Sequence, residues 1–342
     1  MPRRTIAVLA ILTAACNGSP PAKATDQPPP SSPAKVADPP ASISHGEAPI
    51  GTPMTAPDRA ADAPARPVGH RQQLRIVTAH VRHQIAPGVV YEAWTFDSIV
   101  PGRTVRLSVG DTIDFTLVNG GNMPHSMDFH AAEIAPDRFY RNVNPGDSIQ
   151  YQFIARVPGV FMYHCGTAPV AAHIANGMYG ALIVDPKGGR SAAEEYVIVQ
   201  SEFYMGAAHG ADSLHTMDWS KVLNASPDFV VFNGVAARYA THPIQVPVGK
   251  SLRVYVVNAG PNRISSFHVV GAIFDKVIAD GYGRPFDGMQ TWNVPVGGGA
   301  IFELRLAQEG LYPFVTHAFA DATKGAVGVF RAGEPKGSVA GH

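Results

Sequence analysis

The sequence predicts an all-β protein built from two tandem β-sandwich domains that follow an export signal and a disordered, proline-rich linker. From Leu74 onward, short runs rich in Val, Ile, Phe, Tyr and Thr, such as 112–118 and 252–257, are separated by Gly, Pro and Asn. This pattern is typical of a β-sandwich. The order of the runs occurs twice, which indicates two copies of one domain.

The composition limits the partners of the chain. Its 342 residues include 27 Lys and Arg and 27 Asp and Glu, so the formal net charge is zero. A chain without a positive field lacks the main driving force for binding nucleic acid, and DNA and RNA are not expected partners. Two cysteines, Cys16 and Cys165, are too few for a disulfide framework. The chain also has 14 histidines, and those at ligand spacing decide its chemistry.

Residues 1–16 are predicted to be a lipoprotein-type signal peptide. Arg3 and Arg4 precede an apolar run, 5–15, that has the length of a signal-peptide core and is too short to span a bilayer. Small residues lie directly before Cys16, which resembles the bacterial motif in which this cysteine carries lipid. Simple secretion is the alternative. In both cases we expect the protein in the cell envelope or periplasm, with membrane contact only through an N-terminal lipid.

Residues 17–70 are predicted to be a disordered linker rich in Pro and Ala. Between positions 17 and 68 the chain has 13 of its 30 prolines and neither an aromatic residue nor Leu. Such a segment cannot bury enough apolar surface to offset the entropy of ordering it. We expect it to tether a folded body to the membrane, and this body to have two domains, 71–188 and 189–335.

The boundary between the domains follows from the repeated order of motifs. In the first half, the run 109–119 precedes a histidine-bearing strand, a Pro-Gly-Asp turn and a strand that ends at His164. In the second half, the run 248–258 begins the same series, and the last strand of this kind ends at His317. The break therefore lies near the Pro-Lys-Gly-Gly segment that begins at Pro186, and each half has the size of a β-sandwich.

One Cys, two His and one Met in the first half have the spacing of a blue-copper electron-transfer site. His173 follows Cys165 after seven intervening residues, Met178 follows after four more, and His125 lies forty residues upstream of the cysteine. This set supplies a thiolate, two imidazoles and a weak axial thioether. A structural zinc site would not use Met.

Neighbouring histidines predict a second metal site on the outer face of the same domain. His164 directly precedes Cys165, and adjacent residues of a strand point to opposite faces, so His164 faces outward if Cys165 faces inward. His130, five residues after His125, can share the outward side. Two imidazoles need a third ligand to form a three-His site that leaves a position for water or substrate. His317 is the natural third ligand.

Asp128 and the Cys165–His164 peptide bond suggest how such a pair of sites would react. Asp128 lies between the two upstream histidines, where a carboxylate is expected to hydrogen-bond the water or substrate and pass a proton. Cys165 and His164 would bind different coppers, so one peptide bond would give an electron a short path between them.

These motifs resemble those of the two-domain copper-containing nitrite reductases over about residues 76–332. The resemblance implies two cupredoxin-like Greek-key sandwiches. It also implies an oxidoreductase that takes one electron at a type 1 copper and passes it to nitrite at a type 2 copper, giving nitric oxide. The strongest segments are His125-Ser-Met-Asp-Phe-His-Ala-Ala, Pro158-Gly-Val-Phe-Met-Tyr-His-Cys, His173-Ile-Ala-Asn-Gly-Met-Tyr-Gly-Ala and Gly310-Leu-Tyr-Pro-Phe-Val-Thr-His.

The resemblance also implies an assembly and a set of ligands. In that family the third type 2 ligand comes from the neighbouring subunit, which implies a homotrimer with two coppers per subunit. Asp128 matches the proton-relay aspartate, nitrite or a similar small anion is the implied substrate, and a small redox protein is the implied electron donor. The residues that match copper ligands are His125, Cys165, His173 and Met178 for type 1, and His130, His164 and His317 for type 2.

One position departs from the family. The family has a second catalytic histidine near the type 2 copper, and counting from His268 places Ile273 at that position. An isoleucine cannot carry a proton, and the sequence leaves open whether His268 compensates or is a buried strand histidine. Three functions therefore remain, namely nitrite reduction to nitric oxide, reduction or oxidation involving another small oxidant in the Ile273 pocket, and electron transfer without catalysis.

The remaining histidines of the two predicted domains are not expected to bind metal. His80 and His83 lie three residues apart on the entry strand, where such a pair points to opposite faces. His209, His215 and His242 have no partners at ligand spacing and are expected to be surface or structural residues.

Overall fold

The computed structural model describes residues 61–210 and 213–335. The predicted signal peptide with Cys16, and the predicted linker up to residue 60, lie outside the described residues. Over the two described ranges, no helix is both long and apolar enough to cross a membrane.

The first half of the chain is mostly strand, as the alternating runs predict. Its helices are α1 (Pro136–Phe139) and α2 (Val170–Ala175). Its strands are β1 (Arg71–Ala86), β2 (Val89–Phe96), β3 (Val105–Ser108), β4 (Thr112–Asn119), β5 (Asp128–Phe129), β6 (Ser148–Ile154), β7 (Gly159–His164) and β8 (Tyr179–Asp185).

The second half of the chain is also mostly strand. Its helices are α3 (Trp219–Leu223), α4 (Arg238–Thr241) and α5 (Phe319–Ala322). Its strands are β9 (Glu194–Phe203), β10 (Met205–His209), β11 (Leu214–Met217), β12 (Phe229–Phe232), β13 (Ile244–Val246), β14 (Ser251–Gly260), β15 (Ser265–Val269), β16 (Phe274–Ala279), β17 (Phe286–Met289), β18 (Thr291–Val294), β19 (Gly299–Arg305), β20 (Gly310–Thr316) and β21 (Val327–Ala332).

Both halves fold into two sheets with equivalent pairings. In the first half, β1 is parallel to β4, β4 is antiparallel to β6, and β7 is antiparallel to β8. In the second half, β9 is parallel to β14, β14 is antiparallel to β19, and β20 is antiparallel to β21. This equivalence confirms the duplicated all-β fold. The sheets are β10-β11-β2-β1-β4-β6, β3-β8-β7-β5, β12-β9-β14-β19-β16-β17 and β13-β21-β20-β15-β18.

A hairpin from the second half completes the first sheet. Strand β11 pairs in parallel with β2, through Leu214 opposite Val90 and His215 opposite Tyr91, and β10 pairs with β11. These strands come after residue 188, the predicted domain boundary, yet they extend the sheet of the first domain. The two halves are therefore joined by shared sheet structure as well as by the connecting chain.

The last residues of the predicted linker are part of the fold. Ala61 is only 4% exposed and packs in the core of the second half. The N–H of Ala63 donates to the carbonyl of Glu195 at 2.9 Å, and the N–H of Val197 donates to that of Ala61 at 2.6 Å. Residues 61–63 thus lie along β9 instead of extending freely.

The aromatic core of the second half sets the direction of a neighbouring histidine. Phe267 is fully buried and lies 4.9 Å, ring to ring, from Phe302 and 6.1 Å from Phe314. Burying a side chain of this size contributes about 1.5–3 kcal/mol. Because side chains alternate along β15, the burial of Phe267 turns the next residue, His268, toward the outer face.

Strand β1 has two buried histidines in different surroundings. Every second residue from Leu74 to His80 is buried, as expected for a strand with one face on a core. The burial pattern then changes phase, and His83 contacts the second half of the chain. Its Nε2 donates to the carbonyl of Gly234 at 2.6 Å, and its ring stacks on Phe203.

The buried His83 makes stability depend on pH. Burial lowers its pKa from 6.5 to about 4, and the nearby Arg238 acts in the same direction. The unfolded chain takes up this proton first, so stability present above pH 6.5 is lost as the pH falls toward 4. Over that interval, the free energy of unfolding should fall by up to about 3 kcal/mol more in the wild type than in His83→Gln.

Denaturant unfolding followed by circular dichroism at several pH values measures this difference. His83→Gln keeps an amide N–H for Gly234 and cannot titrate, so it is the matched variant. Parallel pH profiles for the two proteins would contradict the assignment.

Candidate metal sites

Three of the predicted ligands meet inside the first half. The Nδ1 atoms of His125 and His173 lie 3.2 Å apart. The Sγ of Cys165 lies 3.3 Å from Nδ1 of His173 and 3.9 Å from Nδ1 of His125. All three side chains are buried, and their ligand atoms lie within 4.8 Å of one another. We call this group the inner cluster.

Backbone hydrogen bonds hold the inner cluster in place. His125 and Val143 exchange two such bonds, at 3.1 and 2.7 Å. The N–H of Cys165 donates to the carbonyl of Met178 at 3.1 Å, and the N–H of Met178 donates to that of His173 at 3.1 Å. Met178, the predicted axial ligand, is fully buried, and these two hydrogen bonds join it to Cys165 and His173. These bonds do not require a metal.

The donor groups of the inner cluster fit copper. Burial lowers the pKa of His125 to about 2 and that of His173 to about 4, so both imidazoles stay neutral and keep a lone pair. Burial raises the pKa of the Cys165 thiol, whose sulfur accepts a hydrogen bond from the N–H of Ser126 at 3.3 Å. Two neutral imidazoles and a thiol that yields its proton to a soft cation are the ligands a copper site needs.

A second group of ligands lies on the other side of β7. Asp128 of β5 pairs with His164 of β7, and Oδ2 of Asp128 lies 3.7 Å from Nε2 of His164. The Nε2 atoms of His130 and His164 lie 3.0 Å apart. His164 is buried, Asp128 is half-buried and His130 is exposed, so this outer cluster opens to the surface. His164 and Cys165, adjacent in the chain, enter different clusters.

One hydrogen bond sets the tautomer of His164. Its Nδ1 lies 2.9 Å from the carbonyl oxygen of Cys165. A carbonyl only accepts, so Nδ1 carries the proton, and Nε2 of the neutral ring has a lone pair beside His130. Burial lowers the pKa of His164, which favours this neutral form. The outer cluster therefore also fits a metal, with its ligand oriented by a backbone carbonyl.

His317 lies apart from the outer cluster within one chain. It follows β20, is exposed, and is not part of the group formed around Asp128 among the described residues. Its ring packs against those of His268 and Phe319, at centroid distances of 5.5 and 4.7 Å. The ring of His317 is therefore accessible from outside the chain.

The surroundings of His317 bear on the roles of Ile273 and His268. The side chain of Ile273 is 58% exposed, in the turn between β15 and β16. The ring beside His317 is that of His268, which is partly exposed and is not a buried strand histidine. The Nδ1 of His268 donates to the carbonyl of Gln290 at 2.6 Å, which leaves Nε2 as the nitrogen able to exchange a proton.

Strand pairing explains why counting along the sequence could not show that His268 lies beside His317. His268 pairs with Val315 of β20 and with Thr291 of β18. The first pairing brings it to the end of β20, two residues before His317. Proximity here depends on which strands are neighbours in the sheet, and a count along the sequence does not show this.

Known proteins share these features. Residues 78–189 match the family model described as multicopper oxidase. Over 262 residues the chain is 40% identical to the copper-containing nitrite reductase of Neisseria meningitidis serogroup A. The aligned region covers 75% of this chain and 68% of the relative. The chain belongs to the copper-containing nitrite reductases.

Other copper-containing nitrite reductases are also similar to this chain. The relative from Alcaligenes xylosoxydans xylosoxydans is 33% identical over 261 residues, or 69% of this chain and 78% of that protein. A solved copper nitrite reductase from Nitrosomonas europaea superposes with a TM-score of 0.71 at 35% identity, covering 77% of this chain and 94% of that one. These similarities confirm the predicted two-domain cupredoxin-like fold and the class of copper-dependent oxidoreductases.

The inner cluster has one close neighbour to which no motif in the sequence assigns a role. His80 of β1 is buried, and its Nε2 lies 3.1 Å from Nε2 of His125. Alternation along β1 predicts that His80 shares a face with Leu74, Ile76 and Thr78, but not that this face meets His125.

The role of Cys165 can be tested by colour. Copper-loaded wild type should be blue or green, because thiolate-to-copper charge transfer absorbs visible light, and Cys165→Ala should lose the colour and about one of two coppers per chain. Absorption spectra and metal analysis measure both.

His164→Ala is the matched control for Cys165→Ala. It should keep the colour and lose the other copper, because His164 belongs to the outer cluster. A colourless, copper-replete wild type would contradict the assignment of the inner cluster.

Proposed function

We propose that this protein is an exported, homotrimeric enzyme that reduces nitrite to nitric oxide with two coppers per subunit. One observation carries the proposal, which is that the adjacent residues Cys165 and His164 enter two ligand clusters, one closed and one open to the surface. Copper bound at the two clusters supplies the one-electron chemistry and the Lewis acidity that nitrite reduction requires. The closed cluster suits electron entry, and the open one suits a small anion.

The ligands of the proposed sites come from three parts of the fold. His130 and His164 would hold the type 2 copper together with His317 of the partner subunit. The type 1 copper would be held by His125, Cys165, His173 and Met178. The exposure of His317, and its separation from the outer cluster within one chain, support an active site shared between subunits.

Two side chains are placed to supply protons. Nitrite reduction to nitric oxide consumes protons and releases water, so groups that hold a proton beside the substrate speed it. Asp128 lies 3.7 Å from Nε2 of His164, half-buried at the opening of the outer cluster. His268 packs against His317 and has Nε2 available. If His317 joined the outer cluster of a neighbouring subunit, it would bring His268 with it to that cluster.

The rival functions are less well supported. Reaction of another oxidant in a pocket at Ile273 is less well supported, because His268, a residue able to exchange a proton, lies beside His317. Electron transfer without catalysis does not account for an open second cluster with a neutral ligand tautomer. Metal analysis separates these readings, since a carrier would bind about one copper per chain and the enzyme about two.

Cell-envelope localisation is supported by the N-terminal sequence. The basic, apolar and small-residue pattern of 1–16 favours export, with lipid attached at Cys16. An enzyme outside the cytoplasm needs an electron donor that shares its compartment. We infer that a small redox protein of the envelope fills this role.

Activity measurements test the proton-supplying residues. With a chemical electron donor, nitrite-dependent nitric oxide formation should fall roughly 10²–10⁴-fold in Asp128→Asn and in His268→Asn, because each loses an acid–base group. Ile273→His should change the rate little, since His268 already supplies an acid–base group beside His317. Copper content of every variant should match the wild type. A gain of activity in Ile273→His, together with an unchanged rate in His268→Asn, would refute the proton-supplying role of His268. It would instead support the position counted along the sequence, Ile273.

A mixing experiment tests the shared active site. His317→Ala and His164→Ala should each be inactive alone, because each lacks one type 2 ligand. Co-expressed subunits should regain activity, since a mixed trimer can pair an intact His164 of one subunit with an intact His317 of the next. Absence of regained activity in mixed oligomers that are shown to form would place all the ligands within one chain.

A further inference from the structure

A second buried histidine lies behind the ligand His125. His80 is 5% exposed, and its Nε2 lies 3.1 Å from Nε2 of His125, on the side of that ring opposite the Nδ1 that meets Cys165. The His80 ring stacks on Trp94 at 5.5 Å and 19°, and meets the His125 ring edge-on at 73°. The same Trp94 contacts the ring of His173 at 5.0 Å. His80 is thus packed into the wall of the inner cluster.

The proton positions of this pair follow from the chemistry of a ligand. Once Nδ1 of His125 binds a metal, the proton of that neutral ring must lie on Nε2. The hydrogen bond then runs from Nε2 of His125 to Nε2 of His80, and His80 has its own proton on Nδ1. A hydrogen-bond acceptor behind a metal-bound histidine fixes the ring orientation and increases its donor strength.

Gly121 leaves the space that this pair needs. A Cβ at this position would lie 2.9 Å from Nε2 of His125 and 3.0 Å from Nε2 of His80, closer than side-chain atoms normally approach. The N–H of Gly121 donates to Oδ1 of Asn119 at 2.9 Å, and that oxygen also accepts from Oγ1 of Thr78 at 2.7 Å. Thr78 and His80 lie on the same face of β1.

The same amide extends the connection to the ligand loop. Nδ2 of Asn119 donates to the carbonyls of Met123 and Val143, at 2.8 and 2.7 Å. Val143 in turn bonds the backbone of His125 in both directions. Strand β1 therefore holds the loop through Thr78 and the ligand ring through His80.

We propose that His80 is a positioning residue for the inner copper site, accepting a hydrogen bond from His125 and setting the orientation and donor strength of that ligand. This inference rests on the proposed function, in which the inner cluster binds copper. Greater donor strength favours oxidised copper, so His80 holds the reduction potential of the site lower than packing alone would.

The test compares His80→Phe with His80→Gln in the copper-loaded protein. Phenylalanine keeps an aromatic ring on Trp94 and removes the acceptor, whereas glutamine retains an acceptor and loses the stacking. In His80→Phe we expect the reduction potential to rise, the visible charge-transfer band to shift, and copper affinity in chelator competition to fall about 10–100-fold. In His80→Gln we expect all three to lie close to the wild type.

His83→Phe is the control, because it removes the other buried histidine of β1, which contacts Gly234 and not the inner cluster. It should leave the potential and the band unchanged. An unaltered potential and copper affinity in His80→Phe would overturn the inference, as would equal changes in His80→Phe and His80→Gln. A wild type without a charge-transfer band would instead overturn the proposed function itself.

Discussion

The alternation of side chains along one strand underlies both metal clusters. At the end of β7, His164 and Cys165 point to opposite sides because successive residues of extended chain must do so. The buried side collects the thiol and two imidazoles, and the open side collects imidazoles and a carboxylate. A single backbone step separates a site closed to solvent from one that a small anion can reach. Every other feature of the sites serves one of these two sides.

Burial keeps the ligands ready for a metal. In the inner cluster it holds His125 and His173 neutral at any pH near 7, and backbone hydrogen bonds fix Cys165 and Met178 on one loop. Little rearrangement is then needed when copper binds or changes its charge. The outer cluster is less enclosed, and there a carbonyl, not burial alone, selects the tautomer of His164. This difference matches an electron-storing site beside a substrate-binding one.

The two halves of the duplicated fold differ in the metal-ligating residues that they carry. Strand β20 corresponds to β7, which ends at His164, and His317 directly follows the end of β20. After His164 comes a cysteine, whereas after His317 comes Ala318, so the second half retains the outward ligand and lacks the inward thiol. The second half therefore lacks the thiol of an inner cluster, and its histidine at this position, His317, is exposed.

Local patterns in the sequence determined much of this protein. Period-two alternation and the repeated motif order predicted the strands and the duplication, and the spacing of Cys165, His173 and Met178 predicted the inner cluster, because ligands on one loop are close whatever surrounds them. His164 followed from its neighbour by alternation alone. These inferences were possible because each depends only on residues that are close to one another in the sequence.

Only the tertiary structure decided the contacts between strands distant in the sequence. It placed His268 beside His317, packed His80 behind His125, and laid residues 61–63 of the predicted linker along β9. It also took the hairpin β10–β11 into the sheet of the first half. Each of these contacts depends on which strands become neighbours and in what register, and that choice is made by the packing of whole sheets, which no run of adjacent residues encodes.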